Sequence, residues 1–193
     1  MNADDWDARY AESATVWSRE PNAWVAETVE PLLPGTAVDL AAGEGRHALW
    51  LATLGWQVTA VDFSRAGLVT GQARAREVGV DIHWVVADAT VWVSPCPVDL
   101  VVMAYLQLPA AGLSAAIRGA SGYLAPGGTL AVIGHDRENL ERGIGGPRDP
   151  AVHYTVEELR RAASDLEIVR CEQVERKLPG GVAIDTVLVA RAG

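Results

Sequence analysis

The residues best spaced to do chemistry lie in Val38-Asp39-Leu40-Ala41-Ala42-Gly43-Glu44-Gly45-Arg46-His47. An apolar run ends in an acid, a glycine-bearing loop follows, and a helix-like segment begins. Glycine at 43 and 45 removes the Cβ atoms that would keep a ligand off the backbone. N–H groups at a helix N-terminus can then meet a polar ligand. A second apolar run, Val58-Thr59-Ala60-Val61, ends in Asp62, nineteen residues beyond Gly43. At that spacing an acid on the neighbouring strand reaches a ribose. Together these signals point to a cofactor that contains a nucleoside.

The elements that must position these groups alternate along the chain. A short helix is predicted from Asp4 to Glu12, with Trp6 and Tyr10 on one face. A second opens at Pro21-Asn22 and ends near Glu30-Pro31. Strands are predicted at Ala37–Leu40, Gln57–Val61, Ile82–Ala87, Asp99–Met103 and Thr129–Ile133. Between them lie helices from Arg46 to Leu54, from the cap Ser64 to Glu77, and from Pro109 to about Leu124. Thr155-Val156-Glu157-Glu158 reads as a capping box that starts a last helix. Ile168–Arg176 and Ala183–Ala190 then form a hairpin around Pro179-Gly180-Gly181.

Strand–helix alternation implies an α/β fold with a doubly wound, mostly parallel sheet. The terminal hairpin makes one of its seven strands antiparallel. Ligands in such sheets sit outside the carboxyl ends of the strands. Asp39, Asp62, Asp88, the Met103–Gln107 segment and His135 should therefore face one crevice. One domain is expected over 1–193: an N-terminal helical cap (1–34), a cofactor-binding core (35–134), a glycine-rich active-site loop (135–154), and a helix with the hairpin (155–193).

The composition is that of a globular protein, 49% hydrophobic and 21% charged. A formal net charge of −9 with no basic stripe argues against a nucleic-acid partner. No apolar run approaches membrane-spanning length. Met1-Asn2-Ala3-Asp4-Asp5 is acidic and unlike a signal peptide, so the expected location is the cytoplasm. Cys96 and Cys171 match no metal or redox spacing, and no metal is expected. Nothing in the sequence fixes an oligomeric state.

Two cofactor readings compete. Gly43-Glu44-Gly45-Arg46-His47-Ala48 fits the G-x-G-x-x-G/A loop of an NAD(P)-dependent oxidoreductase, with Asp62 as its ribose acid. Against this, Asp39 lies inside the strand, where a pyrophosphate would repel it. A non-catalytic nucleoside-binding regulatory module is a third possibility from another class.

The same residues resemble the class I S-adenosylmethionine-dependent methyltransferases, which have a Rossmann-like fold. Val38–Gly45 is similar to that family's first motif, with Ala41 where a glycine is common. Val61-Asp62-Phe63-Ser64 resembles the second, Ala87-Asp88-Ala89 the third, Asp99–Val102 the fourth and Leu124–Leu130 the fifth. Trp6–Tyr10 and Val16–Pro21 resemble the N-terminal segments of small bacterial tellurite- and thiopurine-methyltransferase-like proteins.

The resemblance implies S-adenosylmethionine as cofactor and a small-molecule or soft-anion methyl acceptor. It implies cofactor contacts from Asp39, Ala41, Gly43, Gly45, Arg46, Asp62, Phe63, Asp88, Ala89, Met103 and Trp17. Phe63 would lie against adenine, or else in the core. Asp88 and Ala89 would read the adenine edge. Tyr105 and His135 are the catalytic candidates, although a structural histidine fits position 135 equally well. Arg19, Gln107, Asp136, Arg137 and Tyr154 are candidates for acceptor binding or a lid. Trp6, Tyr10 and Trp24 are expected to dock helices onto the sheet, and His47 to line the cofactor pocket or lie on the surface.

Overall fold

The structure is a computed structural model that describes residues 3–12 and 20–193. The helices are α1 (Ala3–Glu12), α2 (Ala23–Val29), α3 (Arg46–Thr53), α4 (Arg65–Val78), α5 (Ala110–Ser121), α6 (Asn139–Arg142) and α7 (Val156–Ala162). The strands are β1 (Thr36–Leu40), β2 (Gln57–Asp62), β3 (Ile82–Val86), β4 (Val98–Ala104), β5 (Leu124–His135), β6 (Glu167–Leu178) and β7 (Gly181–Arg191). They form one sheet in the order β3-β2-β1-β4-β5-β7-β6. Strand β7 alone runs against the rest, antiparallel to β5 and to β6. The Rossmann-like, doubly wound sheet with one reversed strand is the expected architecture.

Strand alternation divides the apolar residues between two helical layers. Val38, Leu40, Val101, Met103, Leu130 and Val132 pack with Leu113, Ile117 and Leu159 of α5 and α7. Ala37, Val58, Ala60, Leu100 and Val102 pack with Val25, Val29, Ala48 and Leu51 of α2 and α3. Asp39 points to this second layer, toward the start of α3, where its Oδ2 accepts from the Ala48 N–H at 2.9 Å.

The caps act locally as the sequence implies. Ser64 Oγ accepts from the Gly67 N–H, and Thr155 Oγ1 from the Glu158 N–H. The boundaries differ most at β5. Helix α5 stops at Ser121 rather than near Leu124, and β5 begins at Leu124 rather than Thr129. Leu124 pairs with Val98, and a register shift before Leu100 absorbs Pro126-Gly127-Gly128. The Gly127 N–H donates to Ala192 O and the Ala192 N–H to Gly128 O, so these residues stay in the ladder. The glycine-rich segment after β5 also contains α6 and a 3-10 turn, Pro150–Val152, and is not an open loop.

Candidate active site

The strand order reverses between β1 and β4, and the crevice opens beyond their carboxyl ends, as expected at a switch point. The chain leaves β1 through a left-handed turn, with φ of 64° at Ala41, 57° at Gly43 and 70° at Gly45. Gly43 is glycine for a second reason. A Cβ there would come within 2.5 Å of the Tyr10 hydroxyl. Asp62 fixes this turn. Its Oδ2 accepts from the Gly43 N–H and its Oδ1 from the Ser64 N–H, both at 2.7 Å. Each oxygen keeps a lone pair for a further donor. Burial raises the titration of Asp62, with the two N–H bonds opposing.

Two buried side chains secure the loop from beneath. Glu44 pairs with Arg74 of α4 at 3.2 Å. The His47 Nε2 accepts from the Asn22 N–H at 3.2 Å, and burial pushes the ring down to about 3. Trp84 of β3 packs against Gly45 and Gly71, where a Cβ on either would strike its ring.

A cavity of about 80 Å³ lies over the turn, walled by Gly43, Asp62, Phe63, Trp6, Tyr10 and the 104–108 segment. A second cavity, of about 390 Å³, adjoins it and shares Arg46, Tyr105 and Gln107 as a common wall. Its far side is built from Asn22, His135 and Arg176, under Gly146-Pro147.

Tyr105 stands at the centre of that wall with φ of 59°, uncommon for a residue bearing a Cβ. Its hydroxyl accepts from Asn22 Nδ2 at 2.8 Å and donates to Asp185 Oδ2 at 2.9 Å. Burial, reinforced by Asp185, raises the phenol's titration. Asp185 is fully buried, and its Oδ2 also accepts from Arg176 Nε at 2.7 Å. The Asp185 Oδ1 lies 3.1 Å from His135 Nδ1, off the line of a good hydrogen bond. His135 and Asp185 are direct cross-strand partners on β5 and β7. Burial works to raise Asp185, but the His135 and Arg176 contacts outweigh it and hold the carboxyl below its ordinary value.

The structure brings together Ala41, Gly43, Arg46, Asp62 and Phe63 in the first cavity, and Tyr105, Gln107 and His135 at or beyond the shared wall. Asp39 and Gly45 shape the turn from behind. Trp17 and Arg19 lie outside the described residues.

Several expected site residues are placed elsewhere. Met103 is fully buried on the α5 side of β4, because alternation turns Ala104 toward the cavity instead. Asp88 is exposed and spends Oδ1 on the N–H and hydroxyl of Thr90, while Ala89 packs in the core. Neither lines the cavity. Asp136 is a buried structural carboxylate that accepts from Gln173, Thr186 and the Glu138 N–H. Arg137 is exposed and pairs with Glu158. Tyr154 is core, packed on Gly134, with its hydroxyl donating to Leu106 O at 2.7 Å. Tyr105 is unsuited to act as a base, since its phenol already donates to Asp185.

The sequence reading also missed site residues. Trp6 and Tyr10, expected only to dock α1, stack at 5.6 Å and line the first cavity. Asn22, Arg176 and Asp185 were not anticipated. Only Asp185 carried a local signal, as an acid inside the apolar run Val182–Leu188.

A strand-end acid on β2, a left-handed glycine turn after β1 and an adjoining second cavity together form a candidate nucleoside-cofactor site. Residues 37–128 match the methyltransferase domain family. The fold matches TehB from Haemophilus influenzae with a TM-score of 0.76 at 17% identity, over 99% of this chain and 67% of that one. It matches the N-methyltransferase NodS from Bradyrhizobium japonicum WM9, in complex with S-adenosylhomocysteine, with a TM-score of 0.78 at 15% identity, over 100% and 99% of the two chains. A structure concerned with conversion of a disulfide bond into a thioacetal group during echinomycin biosynthesis matches with a TM-score of 0.76 at 22% identity, over 98% and 92%. No curated protein sequence matches the chain. The chain thus carries a methyltransferase-domain match over residues 37–128 on a fold shared with solved methyltransferases. The domain match supports the methyltransferase reading over the oxidoreductase. No helix among the described residues is long and apolar enough to cross a membrane.

Proposed function

We propose that the chain is an S-adenosylmethionine-dependent methyltransferase acting on a small-molecule or soft-anion acceptor that enters the second cavity. The observation that carries this reading is the common wall of Arg46, Tyr105 and Gln107, which joins the two cavities side by side. S-adenosylmethionine, when bound, supplies a sulfonium-activated methyl group. The acceptor's lone pair would take that methyl group as the carbon–sulfur bond broke, with S-adenosylhomocysteine as the co-product.

The donor set fits the cofactor. Asp62 has acceptor capacity for the ribose hydroxyls, Phe63 offers a ring to adenine, and Gly43 leaves backbone exposed to the amino-acid portion. In-line transfer needs alignment and a dry site more than acid–base work. Trp6 and Tyr10 cover the cofactor cavity, and Tyr105 is locked at both hydroxyl positions. His135 supplies the titratable group for an acceptor that arrives protonated, with Asp185 beneath it as a positioning residue. The net charge of −9 supports a small molecule over a nucleic acid.

The test is calorimetric titration with S-adenosylhomocysteine, with NADH in parallel, followed by a screen of small acceptors for cofactor-product release. Binding of the first ligand alone and turnover with a small acceptor are expected. Turnover only with a macromolecular substrate would overturn the proposal.

A further inference from the structure

The wall of the second cavity is the reverse of the chain in charge. Acidic residues outnumber basic ones 25 to 16 over the whole sequence. Yet Arg9, Arg46 and Arg176 all line this cavity, with His135, and no carboxylate does among the described lining residues. Composition therefore does not account for the cluster.

The arginines are held in a definite arrangement. The Arg46 and Arg176 guanidiniums lie 5.8 Å and 5.6 Å from the Tyr105 ring centre. Arg176 is fixed by its Nε bond to Asp185, and Tyr105 by Asn22 and Asp185. Asp185 is a single buried charge behind the wall, shared among Arg176, the Tyr105 hydroxyl and His135. Burial and the neighbouring Arg176 disfavour the charge on Arg46, while Tyr105 and Asp39 favour it. An anion entering this cavity meets guanidiniums and, among the described lining residues, no carboxylate. Guanidinium is also the side chain whose planar fork matches a carboxylate.

We propose that the methyl acceptor carries a carboxylate, distinct from its reacting atom, that docks against Arg46 and Arg176 with Arg9 at the rim. This rests on the second cavity being the acceptor site. It narrows the substrate class to small organic acids, whose remaining part would reach the shared wall beside the cofactor cavity.

The experiment uses the full chain loaded with S-adenosylhomocysteine and follows binding of benzoate and cinnamate against benzamide and cinnamamide by ligand-observed NMR. The acids are expected to bind at least tenfold more tightly than their amides. Arg9→Gln, an exposed change that leaves the fold intact, and Arg176→Lys, which keeps the charge beside Asp185 but loses the fork, should each weaken the acids several-fold and leave S-adenosylhomocysteine affinity unchanged. Acids and amides binding alike, or neither binding to the loaded protein, overturns the carboxylate assignment and leaves the methyltransferase reading standing. Tighter binding of phenyl phosphate than of benzoate also overturns it. Failure of S-adenosylhomocysteine to bind at all overturns the cofactor site, and this inference with it.

Discussion

Asp39 and His47 flank the glycine turn, and burial moves their titrations in opposite directions, Asp39 up to about 7 and His47 down to about 3. From their ordinary values of 3.8 and 6.5, the two windows overlap. Asp39 holds a proton in the native state that the unfolded chain has lost, so its contribution declines as pH rises from about 4 to about 7. His47 refuses a proton that the unfolded chain accepts, so its contribution declines as pH falls from about 6.5 toward about 3. Between about pH 4 and 6.5 the two slopes oppose.

His47→Gln should unmask the Asp39 slope. Relative to the parent, its stability should fall as pH rises from 4.5 to 6.5, by up to about 1.4 kcal/mol per pH unit. Asp39→Asn should do the reverse and lose stability, relative to the parent, as pH falls over that range. Urea unfolding at several pH values checks both. Parallel curves for parent and variants would refute the assignment.

Asp62 combines two duties, bonding the turn and facing the cofactor cavity. Asp62→Asn replaces one accepting oxygen by an NH₂ opposite a backbone N–H. S-adenosylhomocysteine affinity should fall tenfold or more, because a charge-assisted hydrogen bond contributes about 1.5–3 kcal/mol. Calorimetry on a variant with an unchanged circular dichroism spectrum checks this. Parent-like affinity would remove Asp62 from the cofactor site.

His135→Ala should lower turnover and leave S-adenosylhomocysteine affinity nearly intact, since His135 lines the second cavity and not the first. Comparing kcat with the calorimetric Kd separates the two effects. An equal loss in both would place His135 in the scaffold.

Gly134 faces the ring of Tyr154, and a Cβ at that position would overlap the ring carbons. Gly134→Ala should therefore cost about 1–3 kcal/mol by overpacking. The displaced ring would also give up the bond from its hydroxyl to Leu106 O, in the segment that carries Tyr105. Tyr154→Phe removes that bond alone and leaves Leu106 O with the Leu108 N–H as its partner, at about 0.5–1.5 kcal/mol. Thermal denaturation of the two variants ranks the effects.

Breaking the buried Glu44–Arg74 pair should be costly from either side. Glu44 is almost fully buried, and Arg74→Leu would leave it facing α4 without its 3.2 Å partner. A loss of about 3–5 kcal/mol is expected from denaturant unfolding.

What the sequence made legible follows from how local each signal is. The turn at Ala41–Gly45 and the acid at Asp62 sit at strand ends, where glycine and a charge interrupt an apolar run, so both could be placed without knowing the fold. Met103 was misplaced because a continuous apolar strand does not announce which face each residue takes. Tyr154 and Asp136 looked like lid residues because they border a glycine-rich segment, yet that segment is pinned by Asn139, whose Oδ1 accepts from the Ile184 N–H and whose Nδ2 donates to Gly145 O. The Asn22–Tyr105–Asp185–Arg176 network was invisible for a different reason. Its members come from the start of α2, the end of β4 and two hairpin strands, and only the sheet order brings them together.

The pairing of His135 with Asp185 places the wall of the second cavity under the control of strand register. Side chains alternate across β7, so a slip by one residue would present Ile184 or Thr186 in place of Asp185. Substitutions along this strand change one neighbour at a time. A single-residue deletion between Asp185 and Arg191 would instead turn the carboxylate to the opposite face and leave both His135 and Arg176 without it. Point changes along β7 thus alter the second cavity one side chain at a time, whereas a length change preserves this pairing only at the Pro179-Gly180 end of the hairpin.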